Sequence, residues 1–256
     1  MKRLLLILLL FFVVSCKSNA ESQLNKIISG KDKIQKNAIL EVFTKPKQHK
    51  NEIMSYLTKK RDFNNEKEWP SDNVLYVVGA IRDRDYFPII LSYLDNERYC
   101  NSQIPEYVTG LEFALTLLIR KSELSMLEKK PDSVIKENIL SRYNDFYEAN
   151  PKTIGQRKKE LANSVQYRNV NDRTEFIRIQ NLKLEELLTI LYDSKTAYDG
   201  KKDMAIDSFR YLVDNKKYIP DLLYLAINSP NDGANEFLWS CISSIYNIFI
   251  QNGENK

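Results

Sequence analysis

Glycine, proline and histidine are scarce in this sequence of 256 residues. It contains seven glycines and eight prolines, few against an average usage of ~7% and ~5%. A sheet protein of this length needs many tight turns, and tight turns need glycine. Long stretches rich in Leu, Ile, Lys and Glu favour helices instead. The sequence therefore predicts an all-α fold.

The shortage of histidine also limits the chemistry that the chain could perform. His49, in "KPKQHK", is the sole histidine, and neither a second His nor a Cys pair lies near it to indicate a zinc site. There is no G-x-S-x-G, no Walker loop and no dinucleotide-binding glycine run. We interpret His49 as a surface residue, and we predict no catalytic residue, no metal site and no cofactor.

One long apolar run stands at the start of the chain. Residues 4–14 read "LLLILLLFFVV", and at ~1.5 Å per residue they would cover only about half of a ~30 Å hydrocarbon core. Lys2 and Arg3 precede the run, and the small residue Ser15 follows it. These features are typical of a secretory signal peptide, which we predict over residues 1–15.

The end of the run indicates which kind of signal peptide this is. Val13-Val14-Ser15-Cys16 resembles the bacterial lipobox. The resemblance implies a diacylglyceryl thioether on Cys16, cleavage after Ser15 and acylation of the new amine. Since one acyl chain holds a protein only marginally, two or three would anchor it firmly. An ordinary signal peptide followed by a cysteine, or an uncleaved anchor, are the alternatives.

Residues 16–22 are polar apart from the lipidated position and predict a tether between anchor and fold. Lys17 and Ser18 follow Cys16, where enteric bacteria use Asp for retention at the inner membrane, so by analogy we expect the outer rather than the inner membrane. Without residues 1–15, 36 Lys and Arg face 34 Asp and Glu. This balance, with export, predicts no nucleic-acid partner. The run "QRKKE" (156–160) is interpreted as solvated charge.

Residues 71–97, "SDNVLYVVGAIRDRDYFPIILSYLDNE", predict a helix, a turn and a second helix. Ser71 or Asp72 can cap the first helix, and Pro88 suits the start of the second. The stretch resembles a HEAT-type repeat, and the matching residues are Gly79, Ile81, Asp83, Pro88 and Leu94. Arg82 replaces the second turn glycine of the pattern, so we expect this corner to differ in detail.

Weaker copies of the repeat occur on both sides. Residues 205–228 align with it at an offset of 132, three times 44, which fits repeats of ~40–47 residues. Upstream, residues 34–43 and 51–57 predict another pair of helices. Residues about 150–180 are polar and predict an inserted helical arm or a loop. We predict one α-helical repeat domain over residues 23–256, a HEAT-like α-solenoid or irregular right-handed array of helix pairs, with an irregular helical bundle as the alternative.

Two cysteines and several tyrosines lie inside this domain. Cys241 falls on an apolar stripe and is predicted to be buried, whereas Cys100 is predicted to lie in a loop. An extended array should not bring residues 141 apart together, so we expect two free thiols, although an oxidising envelope would permit a bridge. The repeat tyrosines are expected to pack at the edge of the core: Tyr86, Tyr93, Tyr218 and Tyr224.

Together these features predict a cell-envelope lipoprotein that acts as a binding or scaffold module without catalysis. Its expected partners are membrane lipid, through acylated Cys16, and an unidentified protein. An immunity lipoprotein that neutralises a toxin delivered into the envelope is the alternative. An enzyme on a helical scaffold is the third interpretation, and no motif favours it.

Overall fold

The computed structural model describes residues 22–101, 108–147, 152–164, 170–192, 200–228 and 233–251. Across these ranges the chain forms fifteen α-helices and no β-strand, which confirms the all-α prediction. The helices are α1 (Gln23–Ser29), α2 (Asp32–Thr44), α3 (Pro46–Leu57), α4 (Asp72–Ile81), α5 (Phe87–Ser92), α6 (Glu97–Asn101), α7 (Gly110–Leu118), α8 (Leu124–Glu128), α9 (Val134–Tyr147), α10 (Ile154–Ser164), α11 (Val170–Gln180), α12 (Leu184–Tyr192), α13 (Gly200–Leu212), α14 (Ile219–Asn228) and α15 (Gly233–Gln251). The predicted signal peptide and Cys16 lie outside the described residues.

The predicted helix–turn–helix at residues 71–97 is confirmed as α4, a 3-10 turn and α5. The carboxylate of Asp83 accepts a hydrogen bond from the Asp85 N–H at 3.0 Å, which starts the 3-10 turn Arg84–Tyr86. Pro88 is the second residue of α5, where its missing N–H costs nothing. A side-chain cap and a well-placed proline therefore produce the corner.

Arg82 ends α4 in the conformation that glycine usually supplies. Its φ is 59° and its ψ is 27°, which is the left-handed region, and a side chain there costs about 1–2 kcal/mol. The guanidinium lies 4.7 Å from the ring centre of Tyr246, a cation–π contact that offsets part of the cost. The corner thus keeps the expected path although the glycine is absent.

The second copy, residues 205–228, has the same construction. α13 leads into the 3-10 turn Lys216–Tyr218 and then α14, and Pro220 is again the second residue of its helix. The Asn215 side chain accepts from the Lys217 N–H at 2.9 Å, as Asp83 does in the first copy. The alignment between the two copies therefore matches equivalent structural positions.

A third corner, between α7 and α8, was not recognised in the sequence. Here Glu123 accepts from the Arg120 N–H at 2.9 Å and so caps the start of the 3-10 turn Lys121–Glu123. α2/α3, α4/α5 and α7/α8 are thus three successive helix pairs. Polar contacts join them at separations of 35–39 residues: Lys50 to Asp85, Asp72 to Gly110, Arg84 to Glu123 and Lys130 to Asp95.

The closest helix packing joins neighbouring pairs. α4 packs most extensively on α7 rather than on α5, its partner across the corner. Gly79 lies so near α7 that a Cβ there would be 2.7 Å from the Cα of Ala114. Gly110 is equally close to the backbone of Asp72. Because glycine has no Cβ, the two helix backbones can touch.

The end of the chain folds back onto its beginning. α14 packs on α2 and α4, and α15 packs on α9, α13 and α14. The Asn228 amide donates to the Gln35 side chain at 2.6 Å, across 193 residues of sequence. The units of an open solenoid contact only their neighbours. The helix pairs are therefore present, but a linear solenoid is not confirmed.

The polar region at residues 150–180 forms two helices, α10 and α11, in its described parts. Both pack on α13, and each contributes apolar side chains to the core, such as Leu161 and Phe176. In these ranges the region is therefore helical and packs on the core.

Candidate functional site

The domain begins close to the predicted lipidation site. Ser22 caps α1 by accepting a hydrogen bond from the Asn25 N–H at 3.1 Å. Within the same turn, the Leu24 N–H donates to the carboxylate of Glu52 on α3 at 3.0 Å. Burial raises the pKa of Glu52, but the bonds from Leu24, Ser22 and His49 outweigh it and hold the pKa below its usual value. The start of the fold is thus fixed onto α3.

His49 lies near the start of α3, but it is less exposed than a free surface residue. Its Nδ1 is 3.2 Å from the carboxylate of Glu52, and its side chain is 15% exposed. Its Nε2 lies 3.8 Å from a carboxylate oxygen of Glu41. A histidine held between two carboxylates supports the packing of α2, α3 and the beginning of α1.

A buried carboxylate, Glu112, joins three helices. It is inaccessible to solvent and pairs with Arg142 of α9. Arg142 also lies 5.8 Å from the ring centre of Trp239 on α15. Since an unpaired buried charge is costly, this pair fixes the relative positions of α7, α9 and α15.

Arg157 contradicts the interpretation of "QRKKE" as a fully solvated run. Lys158 and Lys159 are exposed, but Arg157 is only 6% exposed. Its Nη1 donates to the Val213 carbonyl at 3.2 Å, and its Nε and Nη2 have no hydrogen-bond partner among the residues that the structure describes. Burial lowers its pKa. Its spacing from buried Leu161, one turn along α10, was the available sequence signal.

A surface cleft of about 590 Å³ lies between α10, the turn from α11 to α12, and the end of α13. Leucines form its apolar wall and charged side chains its rim. The wall includes Leu161, Leu182 and Leu212, and the rim includes Lys158, Lys183 and Asp214.

Glu185 and Tyr218 close one side of this cleft. The Tyr218 hydroxyl donates to the Glu185 carboxylate at 2.7 Å, and the Lys217 ammonium lies 3.1 Å from it. These hydrogen bonds lower the pKa of Glu185 to about 2. A carboxylate that stays ionised and already accepts two bonds serves as a fixed negative group, not as a proton shuttle at neutral pH.

Cys100 and Cys241 are free and buried. Cys100 belongs to the short helix α6, not to a loop as predicted. Burial raises the pKa of its thiol to about 11 and that of Cys241 well above its usual value. In the part of the chain that the structure describes, no three His, Cys, Asp or Glu side chains converge as metal ligands. No helix among those described is long and apolar enough to cross a membrane.

Three of the repeat tyrosines lie deeper in the core than the edge position that the sequence predicted, and one lies at the edge. Tyr86, Tyr93 and Tyr218 are buried, and Tyr224 is half-buried at the edge of the core. The Tyr93 hydroxyl donates to the Leu57 carbonyl at 2.6 Å and so links α3 to the second helix pair. These side chains contribute to packing rather than to an exposed aromatic surface.

No known protein family, no curated protein and no solved structure matches the chain.

Proposed function

We propose that the mature chain is a cell-envelope lipoprotein, held at a membrane by acyl chains on Cys16, whose helical domain binds another protein without catalysis. The observation that carries this proposal is the order of residues at the start: two cations, an eleven-residue apolar run, and Val13-Val14-Ser15-Cys16. We place the protein at the outer rather than the inner membrane, because Lys17 and Ser18 follow the cysteine.

The position of the fold is consistent with this arrangement. α1 begins seven residues after Cys16, so the anchor and the domain are directly adjacent. Stacked helix pairs form ridged surfaces that suit the binding of a macromolecule. The cleft beside α10 has an apolar wall and a charged rim, as binding surfaces commonly do.

Replacement of Cys16 tests the anchor. Cys16→Ala should move the protein from the membrane fraction to the soluble fraction, because it removes the sulfur atom that carries the diacylglyceryl group. Lys17→Ala is the matched control, since it leaves the four-residue motif intact, and it should stay with the membrane. Intact-mass measurement of the wild type should show loss of residues 1–15 and addition of acyl chains. An unmodified Cys16 would refute the proposal.

A second experiment tests the binding role. The anchored wild type, cross-linked in its own cells and purified, should carry a specific protein partner that a cross-linked, unrelated lipoprotein lacks. Turnover of any substrate by the purified mature domain, in a broad panel of hydrolase and transferase assays, would contradict a non-catalytic role.

A further inference from the structure

α1 and α2 carry a surface of unusual composition, immediately after the tether. Six large hydrophobic side chains are exposed among the described residues, and three of them belong to these two helices: Ile28 (37%), Ile34 (59%) and Leu40 (46%). Three lysines lie beside them, and none pairs with a described carboxylate. We define the N-terminal surface as Lys26, Ile28, Lys31, Lys33, Ile34 and Leu40.

The positions on α2 fall on one side of the helix. At 100° per residue, Lys33, Ile34 and Leu40 lie within an arc of about 120°. Glu41 lies inside this arc, and its carboxylate is paired with Lys45 at 3.0 Å. This face thus combines exposed cationic and aliphatic side chains with one carboxylate that Lys45 neutralises, and cationic and aliphatic side chains together are typical of helices that lie at a membrane interface.

The sides of α1 and α2 that face away from the N-terminal surface are fixed to the core. Buried Gln35 donates to the Ile27 carbonyl at 2.7 Å, and the Asn73 amide donates to the same carbonyl at 3.3 Å. Ile27 itself is fully buried. Because these bonds hold the inner side, the exposed isoleucines remain on the outer side of a rigid corner.

The charge of the chain is concentrated in the same region. Residues 23–61 contain ten Lys and Arg against three Asp and Glu, whereas residues 62–256 contain 25 against 30. The near-neutral total thus conceals a basic N-terminal end. Such an end is attracted to anionic lipid headgroups over distances up to a Debye length of ~8–10 Å.

The tether keeps this end near the bilayer. Six residue steps separate Cys16 from Ser22, and a fully extended chain spans at most about 3.6 Å per step, or roughly 20 Å. α1 has seven residues and a length of about 10 Å, so Ile28 lies within about 10 Å of the point where the tether ends.

We propose that the N-terminal surface rests on the bilayer, with its lysines at anionic phospholipid headgroups and its isoleucines at the boundary with the acyl chains. This inference rests on the proposed lipidation of Cys16. It gives the domain a fixed orientation, with the exposed sides of α1 and α2 against the lipid.

Depth-dependent fluorescence quenching tests the orientation. A polarity-sensitive thiol dye is placed on Ile34→Cys, and on Ile177→Cys as the matched control, an isoleucine of α11 that is also exposed, at 46%. The native thiols do not interfere, because Cys100 and Cys241 are buried. The full lipidated protein is reconstituted into vesicles of phosphatidylethanolamine and phosphatidylglycerol with a spin-labelled quencher lipid. Quenching at position 34 should exceed that at 177 by about threefold or more, since interfacial side chains lie ~5–10 Å into the headgroup region.

Removal of the lysine charges separates their role from that of the anchor. Lys26→Gln, Lys31→Gln and Lys33→Gln together should reduce quenching at position 34 towards that at 177, and phosphatidylcholine vesicles should do the same for the wild-type surface. Equal quenching at both positions in the anionic vesicles, with Cys16 acylated by mass, would refute the orientation alone. A Cys16 without acyl chains would refute the proposed function and this inference with it.

Discussion

Asp72 is a carboxylate whose ionisation opposes folding. It lies at the start of α4, against the backbone of α7, and accepts a hydrogen bond from the Gly110 N–H at 3.0 Å. Burial raises its pKa to about 6, and the Gly110 bond only partly offsets this. A carboxyl whose folded pKa exceeds its unfolded value binds more protons in the folded state. Its contribution to stability therefore falls as the pH rises from about 4 to 6.

Asp72→Asn should remove this pH dependence. An amide keeps an acceptor for the Gly110 N–H without a charge, so we expect the variant to be more stable than the wild type by about 1–2 kcal/mol at pH 7. The difference should become small near about pH 3, where the wild-type carboxyl is largely protonated in both states. Urea unfolding at the two pH values measures it. Asp132→Asn, at a side chain that is 99% exposed, should show no such gain, and a less stable Asp72→Asn at pH 7 would contradict the account.

Local signals in the sequence predicted some helix pairs and missed others for identifiable reasons. The α4/α5 corner carries both a capping carboxylate and a proline, and both are visible in the sequence. In the α7/α8 corner the position equivalent to Asp83, directly before the 3-10 turn, is Arg120. Glu123 takes over the capping role there, so the sequence pattern of the first corner is missing. α6 was missed because five residues are too few for helical periodicity to be recognised.

The contact between α4 and α7 depends on a glycine in the middle of a helix. Gly79→Ala should lower the free energy of unfolding by about 1–3 kcal/mol, because the new methyl group must displace the α7 backbone. Gly155→Ala in α10 is the matched control, since its Cβ would meet nothing closer than 3.8 Å; it should be neutral or stabilising by up to about 1 kcal/mol. Urea unfolding compares the two. Equal effects would show that α4 and α7 are not in close contact.

For the protein as a whole, the return of the C-terminal helices onto the N-terminal pairs could not be predicted from the sequence. Lys36 of α2 lies 2.8 Å from Asp221 of α14, and the Tyr192 hydroxyl donates to the same carboxylate at 2.6 Å. The hydrophobic periodicity of these segments shows only which face of each helix is apolar. Periodicity carries no information about which distant segment covers that face. The predicted anchor is the opposite case, because its sequence signal is entirely local and Cys16 lies outside the described residues.

Because α14 packs on α2 and α4, we expect the N-terminal and C-terminal parts of the domain to unfold together. The two tryptophans report on different regions: Trp69 contacts Tyr99 at 5.2 Å, and Trp239 contacts Phe113 at 6.1 Å between ring centres. Variants Trp69→Phe and Trp239→Phe each keep one of them as a fluorescent reporter. Since the halves share one core, urea unfolding should give coincident, two-state transitions for both. Separate midpoints would indicate independent units, as in an open array.

Loss of a single hydroxyl between α4 and α15 should shift the unfolding transitions that both tryptophans report. Tyr246 on α15 donates a hydrogen bond to the Ala80 carbonyl of α4, across 166 residues of sequence. Tyr246→Phe leaves that buried carbonyl without its donor, which should cost about 1–3 kcal/mol. In each single-tryptophan background the midpoint should fall by the same amount, because α4 and α15 belong to one cooperative unit. Tyr224→Phe, at a half-buried ring whose hydroxyl makes no hydrogen bond within the described structure, should leave both midpoints unchanged. A shift confined to the Trp239 signal would place α15 outside the cooperative core.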